Sequence, residues 1–495
     1  MNKTLKNIFY FLTAIVISKF IGSFTSFFTA KILQPPDFGL WITILLIASY
    51  APILSFGTVE TLLKQYPYHV GRGEFDRARE IENGVMGSII LSSGLLFLIG
   101  AIAYCILRIK STELLSSMIL AMFITSSMSF FSAFFYHRFA AHQNFKMVSL
   151  LETLRAFLSS ILVVGFAWFY GLKGAVLGFL FNEIIICSLS AVLNIRHCGM
   201  ISWNFNLRLI GRLIRIGLPI TIIWWIFMIQ SSADRVISIS LLGKIATGFY
   251  GLGVAIVAII TLLPSAVSRV LYPKVSEGVG RQMAGKDMAR LVVDPAFALS
   301  LTIPLLVGTI LIFLPSIYHY IFPRYLPGLA SAQILLLGSF FLCLIRTGIN
   351  YLISIDKQFL LIRHVLISLI FNIVGNITLV KLGFYIEGIA LSTGIAGAML
   401  ATLVWKSVFQ EMGYSKAEQL KKIVSLYLPF ILLLFILLLM YILFPAYDED
   451  LHFLNVHYIF LFIFLFTTTL YYIFPFRRGT RELCALLKDN INKSK

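Results

Sequence analysis

The chain has 495 residues, 59% of them hydrophobic and only 13% charged, with a mean hydropathy of +0.91. That composition excludes a soluble globular protein, and no polar stretch is long enough to build a second, extramembrane core. The formal charge of +18 does not by itself indicate nucleic acid, because basic residues crowd the cytoplasmic side of membrane proteins.

A membrane-crossing helix needs about 20 mostly apolar residues. Such runs recur from end to end and predict about fourteen spans, at residues 5–32, 38–63, 83–107, 114–136, 147–170, 175–194, 217–242, 245–270, 293–318, 329–355, 358–380, 388–409, 423–444 and 456–476. The first run is too long for a signal-peptide core and is followed by no small-residue cleavage site, so it reads as span 1. The gaps at 171–174 and 243–244 read as tight turns.

An even number of spans puts both termini on one side. With the N-terminus inside, 29 of the 40 Lys and Arg fall on or beside the cytoplasmic connections and the tail, 7 lie outside, and Lys19, Arg155, Arg235 and Arg346 lie within spans. This asymmetry fixes the expected orientation, with both ends cytoplasmic and anionic lipid as the default partner of the inner face.

Span 1 has two faces at helical spacing. Ser18, Lys19, Gly22, Ser23, Thr25, Ser26, Thr29 and Ala30 form a small, polar stripe, and Ile17, Phe20, Ile21, Phe24, Phe27 and Phe28 fill the other side. A lysine at the bilayer centre costs at least roughly 2.5–3.5 kcal/mol on insertion scales, so it is expected to face protein or water. Small residues alone also suit close helix packing, which accounts for Gly22 and the serines but not for Lys19.

Glu60 comes late in span 2. Span 5 carries Glu152 and Arg155 three residues apart near its cytoplasmic end, where pairing or snorkelling is cheap. Between the sixth and seventh spans, Arg208, Arg212 and Arg215 share one helical face with Leu209, Leu213 and Ile216 beside them. This pattern predicts an interfacial amphipathic helix on anionic lipid, with head-group recruitment as a further role. Span 7 carries Asp234 and Arg235, either as an ion pair near its outer end or with Asp234 facing a cation from another helix. Arg346 sits mid-way along span 10, one turn before Asn350. The bias toward intramembrane cations suits an anionic substrate, and Arg and Lys are the usual binders of phosphate.

The chain is internally duplicated. ILQPPDFGLW joins spans 1 and 2, and LLGKIATGFY joins spans 7 and 8; Gly39 and Gly248 are 209 residues apart, as are the two Val-Gly-Arg triplets that start at Val70 and Val279. The expected architecture is an all-α integral membrane protein with two six-helix lobes in pseudo-twofold arrangement around a central cavity. Its divisions are 1–200 for the N-terminal lobe, 201–216 for the linker helix, 217–412 for the C-terminal lobe, 413–476 for spans 13 and 14, and 477–495 for a basic tail. Repeats with sites near the midplane mark alternating-access transporters.

Nothing in the sequence points to an enzyme, a metal or a cofactor. There is no P-loop, no G-x-S-x-G and no H-E-x-x-H. The cysteines at 105, 187, 198, 343 and 484 form no C-x-x-C and read as buried, inert thiols.

Three segments carry a family likeness. TAKILQPPDFGLW is similar to a small-basic-hydrophobic-LGP-x-x-FG-aromatic turn, SADRVISISLLGKIATGFY to a D-R/K-hydrophobic-LG…GxY motif, and FFYHRFAAHQNFKMVSL to the segment between spans 4 and 5. Together they resemble the oligosaccharidyl-lipid flippases (Wzx-like polysaccharide exporters) of the multidrug/oligosaccharidyl-lipid/polysaccharide superfamily. Gln34 stands where that family usually has Gly, and Pro36 is unusual.

The resemblance implies two bundles that open alternately to the two sides, and a polyprenyl-diphosphate-linked oligosaccharide as substrate. An ion gradient (H+ or Na+) or the membrane potential would drive it, with no nucleotide, in a monomer of the cytoplasmic (inner) membrane. It also makes Lys19 the counterpart, by helix and depth, of the span-1 cations that bind diphosphate in lipid II flippases. The expected substrate cations are thus Lys19, Arg235 and Arg346, with Asp234, Glu60, Glu152 and Arg155 as coupling or pairing groups. The rivals are a drug/cation antiporter, which should want uncompensated deep acids, a lipid II flippase, and a membrane glycan polymerase or ligase, which should want catalytic residues on a large outer loop.

Overall fold

A computed structural model describes residues 3–110, 113–142, 144–280, 283 and 286–443. Span 14, the basic tail and Cys484 lie outside these. The described residues form thirteen α-helices with short 3-10 and π turns and no strand. Helix is the expected answer, because a segment crossing lipid must satisfy its backbone within itself.

In chain order the helices are α1 (Lys3–Tyr50), α2 (Thr58–Gly71), α3 (Phe75–Lys110), α4 (Glu113–Ala141), α5 (Phe145–Cys198), α6 (Leu207–Leu241), α7 (Gly243–Ile260), α8 (Leu262–Gly280), α9 (Lys286–Ser316), α10 (Leu329–Ser354), α11 (Gln358–Lys381), α12 (Tyr385–Glu411) and α13 (Lys416–Leu443). Among the described residues ten helical stretches are long and apolar enough to cross a membrane. Two of them are double. The 54 residues of α5 would run about 80 Å at 1.5 Å per residue, far beyond a hydrocarbon core of about 30 Å. The helix reverses at Gly171 (φ 58°, ψ −139°) and supplies spans 5 and 6. Likewise α1 breaks at Gln34 (φ 62°, ψ 169°), just before Pro35 and Pro36. Proline suits the first turn of the new arm, where its missing N–H has no helical partner to lose.

Three expectations need correction. Span 2 is not one helix: α1 gives way at Ala51 to a 3-10 turn, Ala51–Ser55, then Phe56 and Gly57 adopt left-handed φ before α2 begins. Span 8 is likewise two helices, α7 and α8, interrupted at Thr261. The linker is not a separate helix, because its three arginines sit in the first turns of α6, which Asn206 caps through the amides of Arg208 and Leu209 at 3.0 and 3.3 Å.

The described chain divides into two compact units, Lys3–Ala255 and the part from Ile256 onward. In the first, α1 packs along α5, α4 bridges α3 and α5, and α2 lies against α3, α4 and α6. Its core gathers Leu62, Val85, Ile89, Phe130, Phe134 and Leu213. In the second, α10 is central, held by α8, α9 and α12, while α11 pairs with α12. Gly338 and Gly394 let α10 and α12 approach backbone to backbone, the close contact that small residues allow in membranes. Phe340 stacks on Phe430 at 4.6 Å.

The cysteines correct a further expectation. Only Cys343 of the described four is buried; Cys187 and Cys198 are half-buried and Cys105 is exposed.

Candidate functional site

On α1, burial follows the two faces read from the sequence and sharpens them. Ile17, Phe20, Phe24 and Phe28 are exposed on an arc of about 80° at 100° per residue. Ser18 and Thr29 are buried on one side of the polar stripe, Ser23 and Ala30 on the other. Between these two packed bands, Lys19 and Gly22 are exposed and Ser26 is half-buried. Lys19 therefore lies on an exposed strip between two packed bands, separate from the apolar arc. It carries no ion pair among the described residues.

Further along α1 lies the kink, and here the duplication becomes geometric. Gln34 and Gly243, 209 residues apart, both have positive φ, 62° and 82°. A Cβ on Gly39 would overlap the carbonyl of Lys244, and one on Gly248 would overlap the carbonyl of Pro35. Pro35 and Lys244 are again 209 apart. Each turn thus touches the other through equivalent residues, the reciprocal pattern of a two-fold contact. Glycine is required at both positions because backbone meets backbone there.

The α6–α7 turn explains its own motif. Asp234 is buried and accepts a 2.7 Å hydrogen bond from the hydroxyl of Tyr250, itself fully buried. Ser238 and Thr247 join the same two helices at 3.0 Å. Tyr50 and Ser232 bond across α1 and α6. Arg235, adjacent to Asp234, is half-exposed. Tyr250 was not singled out from the sequence, although the spacing of the Asp and the Tyr in the motif was there to read.

In the second unit Arg346 stands apart. Between residues 331 and 355, all of them described, it is the one exposed position on α10. Its other positions in that stretch are buried or half-buried. A cation at mid-span faces a polar or watery space, since lipid would penalise it. One turn on, Asn350 donates to the carbonyl and hydroxyl of Ser268 at 2.9 and 2.8 Å and ties α10 to α8.

Other expected residues fall elsewhere. Glu60 is not late in a continuous helix but in the first turn of α2, where the helix dipole favours a carboxylate. Arg155 does not pair with Glu152; it reaches across the hairpin to Glu183 at 3.2 Å, whose side chain is buried. Local spacing suggested the near carboxylate, while the fold at Gly171 brings the distant one closer. Arg208, Arg212 and Arg215 are exposed as expected, but Leu209 and Leu213 are buried in the protein core and not in lipid.

A buried network escaped the sequence reading altogether. Arg138 of α4 donates to both carboxylate oxygens of Glu82 at 3.2 Å and to the carbonyls of Cys198 and Gly199 at 2.9 and 3.0 Å. Nε2 of His142 lies 2.7 Å from Glu82, and the hydroxyl of Tyr66 lies 3.3 Å from its Nδ1. Burial, reinforced by the charge of Glu82, pushes the Tyr66 hydroxyl up to about 12. Arg138 and His142 both stand in the quoted segment FFYHRFAAHQNFKMVSL, so the signal was present without its partner.

The described helices, ten stretches of them long and apolar enough to cross a membrane, make a polytopic all-α fold, and solved structures match it. The lipid II flippase MurJ in an inward closed conformation superposes with a TM-score of 0.69 at 18% identity, covering 93% of this chain and 98% of that one. A mutant of the Vibrio cholerae MATE transporter VcmN gives 0.58 at 14% identity, over 83% and 98%. A Pyrococcus furiosus transporter of the MOP superfamily gives 0.55 at 12%, over 83% and 96%. Identities this low carry the fold alone. No curated protein sequence matches the chain. The profile of the family described as "Polysaccharide biosynthesis protein" matches residues 4–279, more than half of the chain, and the protein belongs to that family.

Proposed function

We propose that this protein is a flippase that moves a polyprenyl-diphosphate-linked oligosaccharide from the cytoplasmic to the outer leaflet by alternating access, for cell-surface polysaccharide of the O-antigen or capsule kind. The observation that carries the reading is the placement of Lys19, a cation exposed on the polar stripe of an apolar helix, between two packed bands. Arg346, the one exposed position of α10 between residues 331 and 355, adds to it. A diphosphate offers such cations charge-assisted hydrogen bonds. Lys19, Arg235 and Arg346 hold the diphosphate or charged sugars. Asp234, with Glu60, Glu152 and Arg155, serves in ion coupling or pairing, and an ion gradient (H+ or Na+) or the membrane potential supplies the driving force. The protein works as a monomer in the cytoplasmic membrane, with both termini inside. Family membership and the names of the fold neighbours favour transport over catalysis.

The test is genetic and chemical. Lys19→Ala, Arg235→Ala and Arg346→Ala, each expressed to wild-type level, should abolish or sharply reduce surface polysaccharide and leave lipid-linked oligosaccharide in the inner leaflet. Unchanged surface polysaccharide in all three variants would overturn the reading. A second reading, a flippase for lipid II, is favoured by the superposition on MurJ. Native mass spectrometry of the purified chain separates the two by the mass of the co-purifying diphosphate lipid. A drug/cation antiporter would instead tolerate loss of the three cations.

A further inference from the structure

The connection between α5 and α6 has a shape that neither helix explains. Residues 199–206 run without helix and are fixed at both ends. At the start, the buried Arg138 grips the carbonyls of Cys198 and Gly199. Further on, the amide of Asn204 donates to the carbonyl of Asn83 at 3.0 Å, and Gly87 leaves no room for a Cβ beneath the Asn204 carbonyl. Ile201 packs inward on the core, as do Leu209 and Leu213.

The outward side of the same stretch is apolar and cationic at once. Met200 is 90% exposed, Leu207 73%, Trp203 62% and Phe205 46%. Arg208, Arg212 and Arg215 follow on the exposed face of α6, and Arg196 is exposed just before. No Asp or Glu occurs from residue 184 to residue 233. The depth is also defined. On α3 the charged run ends at Glu82 and an apolar run begins at Val85, and the strap crosses α3 between Asn83 and Gly87. It therefore lies at the edge of the apolar layer, where Trp anchors and cations gather.

We infer that residues 196–215 form a rigid docking surface for anionic phospholipid of the leaflet on that side, with Met200, Trp203, Phe205 and Leu207 in the acyl boundary and the arginines on lipid phosphates. The occupant is a membrane lipid and not the transported diphosphate, because the apolar residues need a continuous acyl surface and the arginines are spread over two turns of helix. The amphipathic character comes from the strap together with α6, since the leucines of α6 itself are spent on the protein core. On α3 the exposed charges near the strap are Arg77, Arg79, Asp76 and Glu80, which balance one another and leave the strap's charge dominant.

The test uses the full chain in detergent micelles, titrated with phosphatidylglycerol or with zwitterionic phosphatidylcholine and read by native mass spectrometry. Each basic residue near a lipid surface strengthens binding about fivefold. The expected result is preferential phosphatidylglycerol binding that falls at least tenfold in R208Q/R212Q/R215Q and is retained in R208K/R212K/R215K. Phosphatidylglycerol binding equal to wild type in the glutamine variant would overturn the inference. Displacement of phosphatidylglycerol by a soluble short-chain prenyl diphosphate would also overturn it and assign the arginines to substrate. If the glutamine variant does not fold, the wild-type chain decides: its preference for phosphatidylglycerol must fade between 50 mM and 500 mM salt, and a preference unchanged by salt refutes the assignment. None of these outcomes depends on transport.

Discussion

Adding one methyl group at Gly39 or Gly248 tests the reciprocal contact between the two turns. In an ordinary helix interior, Gly→Ala stabilises by roughly 0.5–1 kcal/mol. Gly94 and Gly165 offer that background, because nothing lies within 4 Å of a Cβ built on either. At Gly39 and Gly248 the new Cβ would instead overlap a backbone carbonyl of the other turn, which cannot rotate away as a side chain can. Overpacking of this kind costs about 1–3 kcal/mol. Gly39→Ala and Gly248→Ala should each therefore destabilise by about 1–2 kcal/mol after the helix gain is subtracted, while Gly94→Ala and Gly165→Ala stabilise slightly.

The double variant is the sharper measurement. Once one alanine has pushed the turns apart, the second meets less resistance, so the pair should cost less than the two singles together by about 1 kcal/mol. Equilibrium unfolding of the full chain in mixed dodecylmaltoside and dodecylsulfate micelles reads all five variants against wild type. If Gly39→Ala behaves like Gly94→Ala, or if the two substitutions add in full, the turns do not meet as described.

Three further outcomes can be measured in the same way. Gln34→Gly should stabilise by about 1 kcal/mol, because a non-glycine residue at its φ and ψ holds roughly 1–3 kcal/mol of strain and glycine returns part of that as chain entropy; a loss of stability would show that the Gln34 side chain holds the turn. Arg138→Gln should cost about 1.5–3 kcal/mol, because Glu82 loses both guanidinium bonds while keeping its contact with His142, and Glu82→Gln in the same chain should recover part of it; a cost below 1 kcal/mol would mean that water already solvates the pair. The side chain of His69 beside Glu74, at 2.7 Å and aided by Arg77, holds the Glu74 carboxyl below the usual carboxylate range. A lowered folded-state value means the stabilisation is present above the unfolded value and lost as pH falls through the folded one. Hydrogen-exchange protection at the α2–α3 turn, corrected for the intrinsic rate at each pH, should thus fall in acid in the wild type, and Glu74→Gln should flatten that response.

The helices themselves were legible because long apolar runs admit no other backbone in lipid. Their ends were less so. The reversals at Gln34 and Gly171 fall in the turns read between spans 1 and 2 and between spans 5 and 6, whereas Ala51–Gly57 interrupts span 2 with apolar residues that read as helix. The faces of span 1 were correctly assigned from spacing, which depends only on helical period. Partners were not: Arg155 meets Glu183 through a tertiary hairpin, and Glu82 meets Arg138 across 56 residues of sequence. Neither pairing leaves a local trace. The leucines of the linker show the same limit, since an amphipathic stripe does not say whether protein or lipid covers it.

The reciprocal turns are a dimer contact written into one chain. In a self-associating protein of single repeats, positions 34 and 243 would be the same codon, and glutamine there would strain both turns at once, roughly 2–6 kcal/mol in all. In the joined chain the same change strains one turn and leaves Gly243 relaxed. Fusion thus halves the penalty of departing from glycine, and Gln34 occupies the latitude that this creates.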